Sequence, residues 1–307
     1  MSKTVFLFSG QGSQYAQMGK ELCEKYPQID VFSRASEILG FDLGSKINDS
    51  TEEELSKTVY SQPAIMATSL VALEAMKING VEFSAVAGHS LGEYAAMVAS
   101  GVLSFEDGFK VIKARAAAMQ KAAEQNSGAM YAIIGKTAEE IEQVCSEIDG
   151  YVVPVNYNSS AQTVIAGETE AAEKAAAKFS EMGAKAVKLG VSSAFHSKLM
   201  QPAADEFAPA ISGIAFNKPN VEFYSNLIGG IQTDFENMPE KLAKHIVSPV
   251  RFTSELAALQ AAGYENFIEL GPNKVLTGLV KKTLKGVNSA NVENVKTLEK
   301  ALEILNG

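Results

Sequence analysis

The sequence predicts an α/β fold built on a mostly parallel sheet, with a second, smaller unit inserted into it. Three observations lead there. Strand and helix signals alternate from the N-terminus to about residue 125, a β-α-β-β-α-β run fills the middle of the chain, and helix and strand signals resume after it. With 307 residues, 46% of them hydrophobic, the chain can bury a sizeable core and divide into one large and one small unit.

Taken in order, TVFLFSG (4–10) is a strand running into the glycine-rich turn Gly10-Gln11-Gly12, and YAQMGKELCEKY (15–26) has the apolar spacing of a helix. Thr51 opens TEEELSKT with a capping signature, and QPAIMATSLVALEAMKING (62–80) is a long helix with proline in its first turn and glycine after its end. Residues 83–87 form a short apolar strand that enters Gly88-His89-Ser90-Leu91-Gly92. A helix-forming run, Glu93 to Ser100, leaves this turn toward a terminating Gly101, and residues 104–125 read as a further helix. Then come strand GAMYAIIG, helix TAEEIEQVCSEI, strands YVVPVNY and AQTVIAG, helix ETEAAEKAAAKFSEMG and strand AKAVKL. This is the ferredoxin-like order, which sets the expected insert at 127–189 and the large unit at 1–126 and 190–307. Helix PVRFTSELAALQAAG, strand ENFIELGP and a helix from about Lys274 close the large unit.

The strand, tight turn and helix around Ser90 suit a nucleophile. A serine between two glycines can sit on a sharp backbone corner, exposing its hydroxyl and aiming the Leu91 amide at whatever bonds to it. The plainer reading is a hydroxyl in a glycine-rich turn. A nucleophile needs a base, and the chain has three histidines: His89, His196 and His245. His89 adjoins the serine, where neighbouring side chains project in different directions, and His245 lies in a helix-like segment before Ser248-Pro249. His196, in VSSAFHSKL, falls where the insert returns to the large unit, and such junctions form clefts. Arg115, between alanines, is either a solvated helix residue or a planar partner for a carboxylate. The Gln11 backbone is either an ordinary turn or a second oxyanion donor.

Other features narrow the class. A net charge of −9 argues against nucleic acid, which needs clustered Lys and Arg. No apolar run approaches the roughly 20 residues of a membrane span, and no cleavage pattern follows the first apolar segment. Cys23 and Cys145 lie far apart without a CxxC or Cys/His cluster, so neither a disulfide framework nor a metal site is expected. Both read as small buried hydrophobes in a protein of the reducing cytoplasm.

Six motifs and one arginine now join these residues. In order along nearly the whole chain they are FLFSGQGSQYAQMG, SQPAIMATS, GHSLGEYAA with the arginine after it, VNYNSSAQTVIAG, SSAFHS and ELGPNKVLTGLVKK. With them the sequence resembles the malonyl-CoA:acyl carrier protein transacylases of fatty acid synthesis and the related acyltransferase domains of polyketide synthases. The resemblance implies an α/β-hydrolase-like large subdomain with a ferredoxin-like insert. It implies that Ser90 carries the acyl group, His196 is its base, Arg115 holds the free malonyl carboxylate, and the amides of Gln11 and Leu91 form the oxyanion hole. Gln62 and Asn158 match pocket-lining positions, and Phe195 would narrow the pocket beside the acyl α-carbon against methylmalonyl groups. The histidine of this family is oriented by a backbone carbonyl, and that position here is His245 where glutamine is usual; Asn273 likewise stands where glycine is more usual. Malonyl-CoA as substrate, an acyl carrier protein as partner, a monomeric state and no cofactor or metal follow from the same resemblance. So does a docking edge drawn from Lys185, Lys188, Lys274, Lys281 and Lys282. A trans-acting acyltransferase of polyketide assembly and an editing acyl hydrolase are the alternatives. A hydrolase of neutral esters would gain nothing from burying an unpaired guanidinium.

Overall fold

The computed structural model describes residues 3–191 and 193–306. Ser192, the first serine of the SSAFHS motif, lies outside the described residues. Ten strands run in chain order: β1 Lys3–Phe8, β2 Ala85–Gly88, β3 Ala129–Ile134, β4 Val152–Ser159, β5 Gln162–Gly167, β6 Lys185–Lys188, β7 Glu222–Ser225, β8 Gly230–Ile231, β9 Tyr264–Leu270 and β10 Asn288–Val292.

The large sheet has the order β10-β9-β1-β2-β7-β8. All its pairs are parallel except the short β7–β8 hairpin at one edge. Central strands of such a sheet are covered on both faces and therefore read as unbroken apolar runs. β1 and β2 obey this: Val5 to Phe8 and Ala85 to Val86 to Ala87 are fully buried. Alternate side chains serve different cores. Phe6, Phe8, Val86 and Leu270 join the larger cluster with the helix Thr58–Ile78, while Val5, Leu7, Ala85 and Phe267 pack with Phe252 and Leu256 of the helix Phe252–Ala261.

The helix Thr58–Ile78 is buried nearly all round and starts earlier than its sequence suggests. Pro63 therefore sits inside it rather than in its first turn, where one missing N–H is offset by the packing that encloses the helix. The first helix is shorter than its apolar spacing indicates. It spans only Lys20–Lys25, because Gly19 is in the left-handed region at φ 83° and breaks the run before it.

The insert forms a four-stranded antiparallel sheet in the order β4-β5-β3-β6, with the helices Ala138–Glu147 and Thr169–Glu181. Thr137 and Glu140 cap the first of these reciprocally. One sheet face packs on the two helices through Ile133, Ile141, Ile165 and Phe179; the other contributes Met130, Ala132, Val164 and Ala166 to the large core. Main-chain bonds also tie the two units. Val250 N donates to Val155 O at 2.8 Å, Tyr157 N to Val250 O at 2.9 Å, and Thr253 Oγ1 to Tyr157 O at 2.9 Å. Among the described residues, no helix is long and apolar enough to cross a membrane.

The pairing of β1 with β2 forces the turn after β2 against the end of β1. A Cβ on Gly92 would stand 2.1 Å from the Phe8 carbonyl oxygen, and one on Gly88 2.1 Å from the Gly92 carbonyl carbon. Backbone on both sides leaves nothing to yield. Gly92→Ala is expected to cost at least about 2 kcal/mol of stability, seen as a lower urea midpoint; a midpoint within error of the wild type would contradict the close approach.

Candidate active site

β2 ends at Gly88, the helix Gly92–Ala99 begins four residues later, and Ser90 occupies the corner at φ 54°. A left-handed backbone is uncommon for serine and has to be held by its surroundings, at a cost of about 1–3 kcal/mol. Asn226, just beyond β7 and fully buried, does the holding. Its Oδ1 accepts from Ser90 N at 2.7 Å, its Nδ2 donates to Gly88 O at 2.7 Å and to Glu255 Oε1 at 2.6 Å, and its own N donates to Glu93 Oε1 at 2.6 Å. Burial, with Glu93 beside it, pushes the Glu255 carboxyl well above the usual carboxylate range.

The corner delivers the hydroxyl to a base. Ser90 Oγ lies 2.7 Å from His196 Nε2, and His196 Nδ1 lies 3.1 Å from both the His245 and the Ser248 carbonyl oxygens. Carbonyls only accept, so Nδ1 carries the proton and Nε2 is left to accept the serine's. Burial pushes the His196 imidazole well below its ordinary value, and the charges of His245 and Arg115 add to the effect. A neutral base at neutral pH results.

Arg115, on the helix Phe105–Gln125, is 1% exposed. Its Nη2 donates to Ser90 Oγ at 3.1 Å, its guanidinium carbon stands 5.2 Å from the Tyr94 ring centroid, and its Nε has no partner among the described residues. No carboxylate of the described residues pairs with it, although burial lowers its pKa and so opposes its charge. Arginine nevertheless stays protonated in proteins. Ser90 therefore faces a buried cation that no carboxylate of the described residues touches, although Glu93 acts on it at longer range.

The Gln11 turn lies against the elbow: a Cβ on Gly10 would be 2.8 Å from the His89 carbonyl oxygen. Among the described residues, neither the Gln11 nor the Leu91 amide donates to a protein acceptor. Gln62 Nε2 lies 3.5 Å from both Gln11 Oε1 and Met119 Sδ, which puts Gln62 between the Gln11 turn and the arginine's helix with its Oε1 unpaired. Ser90, His196, Arg115, Gln11, Leu91 and Gln62 thus come together. Asn158 does not line the same space by any bond; its Oδ1 takes His89 Nε2 at 2.8 Å, which braces the elbow from the insert. Phe195 is 8% exposed and packs into the large core next to the base. His245 places its backbone carbonyl on His196 Nδ1, in the position the resemblance implied, and its ring stands 5.2 Å from the His196 ring rather than lining the space before Ser90.

Sequence reasoning missed Asn226, Glu93 and Glu255. Glu93 was visible beside Gly92 but reads as an ordinary residue of a helix's first turn, and Asn226 follows a four-residue strand without any local pattern. No three His, Cys, Asp or Glu side chains of the described residues are placed to hold a metal ion.

A serine on a strand-to-helix elbow, bonded to an imidazole and faced by a buried guanidinium, has the equipment of an acyl-serine enzyme. The chain belongs to the acyl transferase domain family, whose model matches residues 5–302. It is 41% identical to the malonyl CoA-acyl carrier protein transacylase of Bacillus subtilis (strain 168), covering 99% of this chain and 98% of the relative. The protein of that name from Escherichia coli (strain K12) is 38% identical, over 99% of this chain and 100% of the relative. Among solved structures, the malonyl CoA-acyl carrier protein transacylase of Clostridium perfringens superposes with a TM-score of 0.95 at 40% identity, covering 99% of this chain and 98% of that one. A malonyl-transacylase in complex with its type II PKS acyl-carrier protein superposes with a TM-score of 0.94 at 38% identity, over 99% and 100% of the two chains.

The low basicity of His196 has a measurable consequence. Inactivation by phenylmethylsulfonyl fluoride, which modifies an activated serine, is expected to keep its plateau rate at pH 6.5, where an ordinary histidine is half protonated, and to fall only at lower pH. His196→Ala should slow it by about 10²- to 10⁴-fold. An acid midpoint at or above pH 6.5 would contradict the buried, neutral base.

Proposed function

We propose that the protein transfers the malonyl group from malonyl-CoA to the phosphopantetheine thiol of an acyl carrier protein through a malonyl ester on Ser90. The observation that carries this reading is Arg115: a buried guanidinium, 3.1 Å from the nucleophilic oxygen, that makes no ion pair with a carboxylate of the described residues and has its Nε without a partner. A malonyl thioester brings a carboxylate two carbons from the carbonyl under attack, and a planar guanidinium can bind it through two parallel bonds.

In the first stage Ser90 Oγ attacks the thioester carbon while His196 Nε2 takes its proton. The negative oxygen so formed is stabilised by the amides of Gln11 and Leu91, and Gln62 beside them offers its free Oε1 to the acyl group's surroundings. The tetrahedral intermediate collapses, the C–S bond breaks, and His196 returns the proton to the departing CoA sulfur. In the second stage the carrier thiol gives its proton to His196 and attacks the ester; the C–O bond breaks and Ser90 recovers the proton. Atoms and protons balance without any cofactor.

On this reading the acyl carrier protein is the macromolecular partner, the cytoplasm the compartment and the monomer the working unit. Residues 127–189 form the inserted subdomain. Lys274, Lys281 and Lys282 are exposed and suit an acidic carrier, whereas Lys188 is already paired with Glu173 at 3.2 Å. A carrier protein of polyketide assembly presents the same thiol, and the similarity to the malonyl-transacylase solved in complex with such a carrier favours it as a second acceptor.

Intact-mass measurement after brief mixing with malonyl-CoA is expected to show a malonyl adduct on the wild type and none on Ser90→Ala. Arg115→Ala is expected to lose malonyl transfer by at least about 2 kcal/mol of transition-state stabilisation while acetyl transfer falls much less. An adduct that persists without Ser90, or equal losses for both acyl groups, would end this reading.

A further inference from the structure

Behind the base lies a buried carboxyl–imidazole pair that the transfer chemistry does not use directly. His245 Nδ1 is 2.9 Å from Glu93 Oε2, both side chains are 2% exposed, and the two groups are out of alignment for a hydrogen bond, so the contact is one of charge rather than of direction. The His245 ring stands 5.2 Å from the His196 ring at an interplanar angle of 40°. The same residue's carbonyl accepts from His196 Nδ1. Glu93 is fixed by its other oxygen, which takes the Asn226 amide at 2.6 Å.

The charge arithmetic around His196 is unusual for an acyl-serine site. In a serine–histidine–acid arrangement a carboxylate next to the imidazole stabilises the imidazolium formed during attack. Here two neutral carbonyls occupy that place. The titratable and charged groups that bear on His196 are Arg115 from the helix Phe105–Gln125, His245 from the helix Met238–Ile246 and His89 from the elbow. Glu93 in turn acts on His89, Tyr94, Arg115 and Glu255. The Arg115 cation beside the base opposes its protonation in every step, and an uncompensated charge on His245 would add to that. Glu255 is a poor remedy, because burial, with Glu93 beside it, pushes its carboxyl well above the usual carboxylate range and so disfavours its charge.

We propose that Glu93 and His245 form a buried ion pair in which the carboxylate cancels the imidazolium next to His196, so that Glu93 is a positioning residue that sets the basicity of the catalytic histidine through His245. This rests on the acyl-transfer reading of the site for its consequence in rate, but not for its effect on the ring. Removing the carboxylate alone leaves an uncompensated cation near His196 and lowers its pKa. Removing the imidazolium alone leaves an uncompensated carboxylate and raises it. Removing both restores a neutral pair and brings the value back.

The experiment compares the wild type with Glu93→Gln, His245→Gln and the double variant, all amide replacements of similar size; the backbone carbonyl to His196 survives in each. Histidine-selective isotope labelling and NMR follow the His196 ring as pH is varied, and single-turnover malonylation of Ser90 is measured by intact mass over the same range. The expected result is a downward shift of the His196 midpoint in Glu93→Gln, an upward shift of about one pH unit in His245→Gln, and a double variant within about 0.3 unit of the wild type. Malonylation at neutral pH should slow about tenfold in Glu93→Gln and recover in the double variant. Single variants that shift the same way, or neither of which shifts, would overturn the proposal, as would a double variant no closer to the wild type than either. Should Glu93→Gln fail to fold, the double variant against His245→Gln alone still decides it, since a structural role for Glu93 predicts no return of the midpoint. A wild type that forms no malonyl adduct, with the ring shifts as expected, would sink the malonyl reading and leave the ion pair standing.

Discussion

The close approach of two backbones governs this molecule. β1 and β2 pair in parallel with Phe8 opposite Gly88, and the helix after β2 begins with Gly92 pressed on the Phe8 carbonyl. No residue with a side chain fits at either glycine, and the chain between them has to turn within three residues. That turn pushes Ser90 into the left-handed region, and the strain is held by Asn226, whose side-chain and backbone groups bond to Ser90, Gly88, Glu93 and Glu255 at once. Loss of any of these partners would leave a buried polar group unmet, at a cost of about 1–3 kcal/mol. The nucleophile's position is therefore a property of the sheet, enforced at the level of main-chain contacts.

The base is placed by different means. His196 also has a left-handed backbone, at φ 61°, and its ring is oriented by the last carbonyls around the helix Met238–Ile246. Carbonyl dipoles at a helix end carry partial negative charge, which favours a positive group there. They offer less than a full carboxylate would, and the buried surroundings of His196 work against charge. The site accordingly joins a weakly basic histidine to a serine whose oxygen already accepts a bond from a guanidinium. On the proposed reading the substrate's carboxylate would draw this cation's bond away from the serine oxygen on arrival.

Much of this was legible in the sequence because the determinants are local. Gly88 and Gly92 flank Ser90, the β-α-β-β-α-β order of the insert follows from alternating periods, and His196 could be singled out from three candidates by its place at the junction. Elements of low contrast were not legible. β10 is NSANV, mostly polar at a sheet edge, β7 and β8 are four and two residues long, and the helix Val295–Asn306 starts from Asn294, whose Oδ1 accepts from Thr297 N at 3.0 Å but which stands in a mostly polar run that hides the cap. The clamp was out of reach for another reason. Asn226, Glu93 and Glu255 are brought together only by the sheet, from positions more than a hundred residues apart in the case of Glu93 and Asn226, as their separation of 133 shows. His245 illustrates the same limit, since its carbonyl and its ring do different things and only the fold separates them.

The main-chain bonds between β4 and residues 250 to 253 bear on how this architecture can be cut and recombined. Ser248, which helps orient the base, is two residues from Val250, and Val250 is held on both sides by Val155 and Tyr157 of the insert. Asn158 continues the same strand onto His89, next to the nucleophile. The insert is thus neither a free lid nor a detachable module. A chimera that exchanged only residues 127–189 would import foreign register into the strand that anchors both catalytic groups, so the exchangeable block has to include the far strand's partner near Val250 as well. A shift of register in β4 therefore has to be met by a matching shift at Val250, or both bonds are lost.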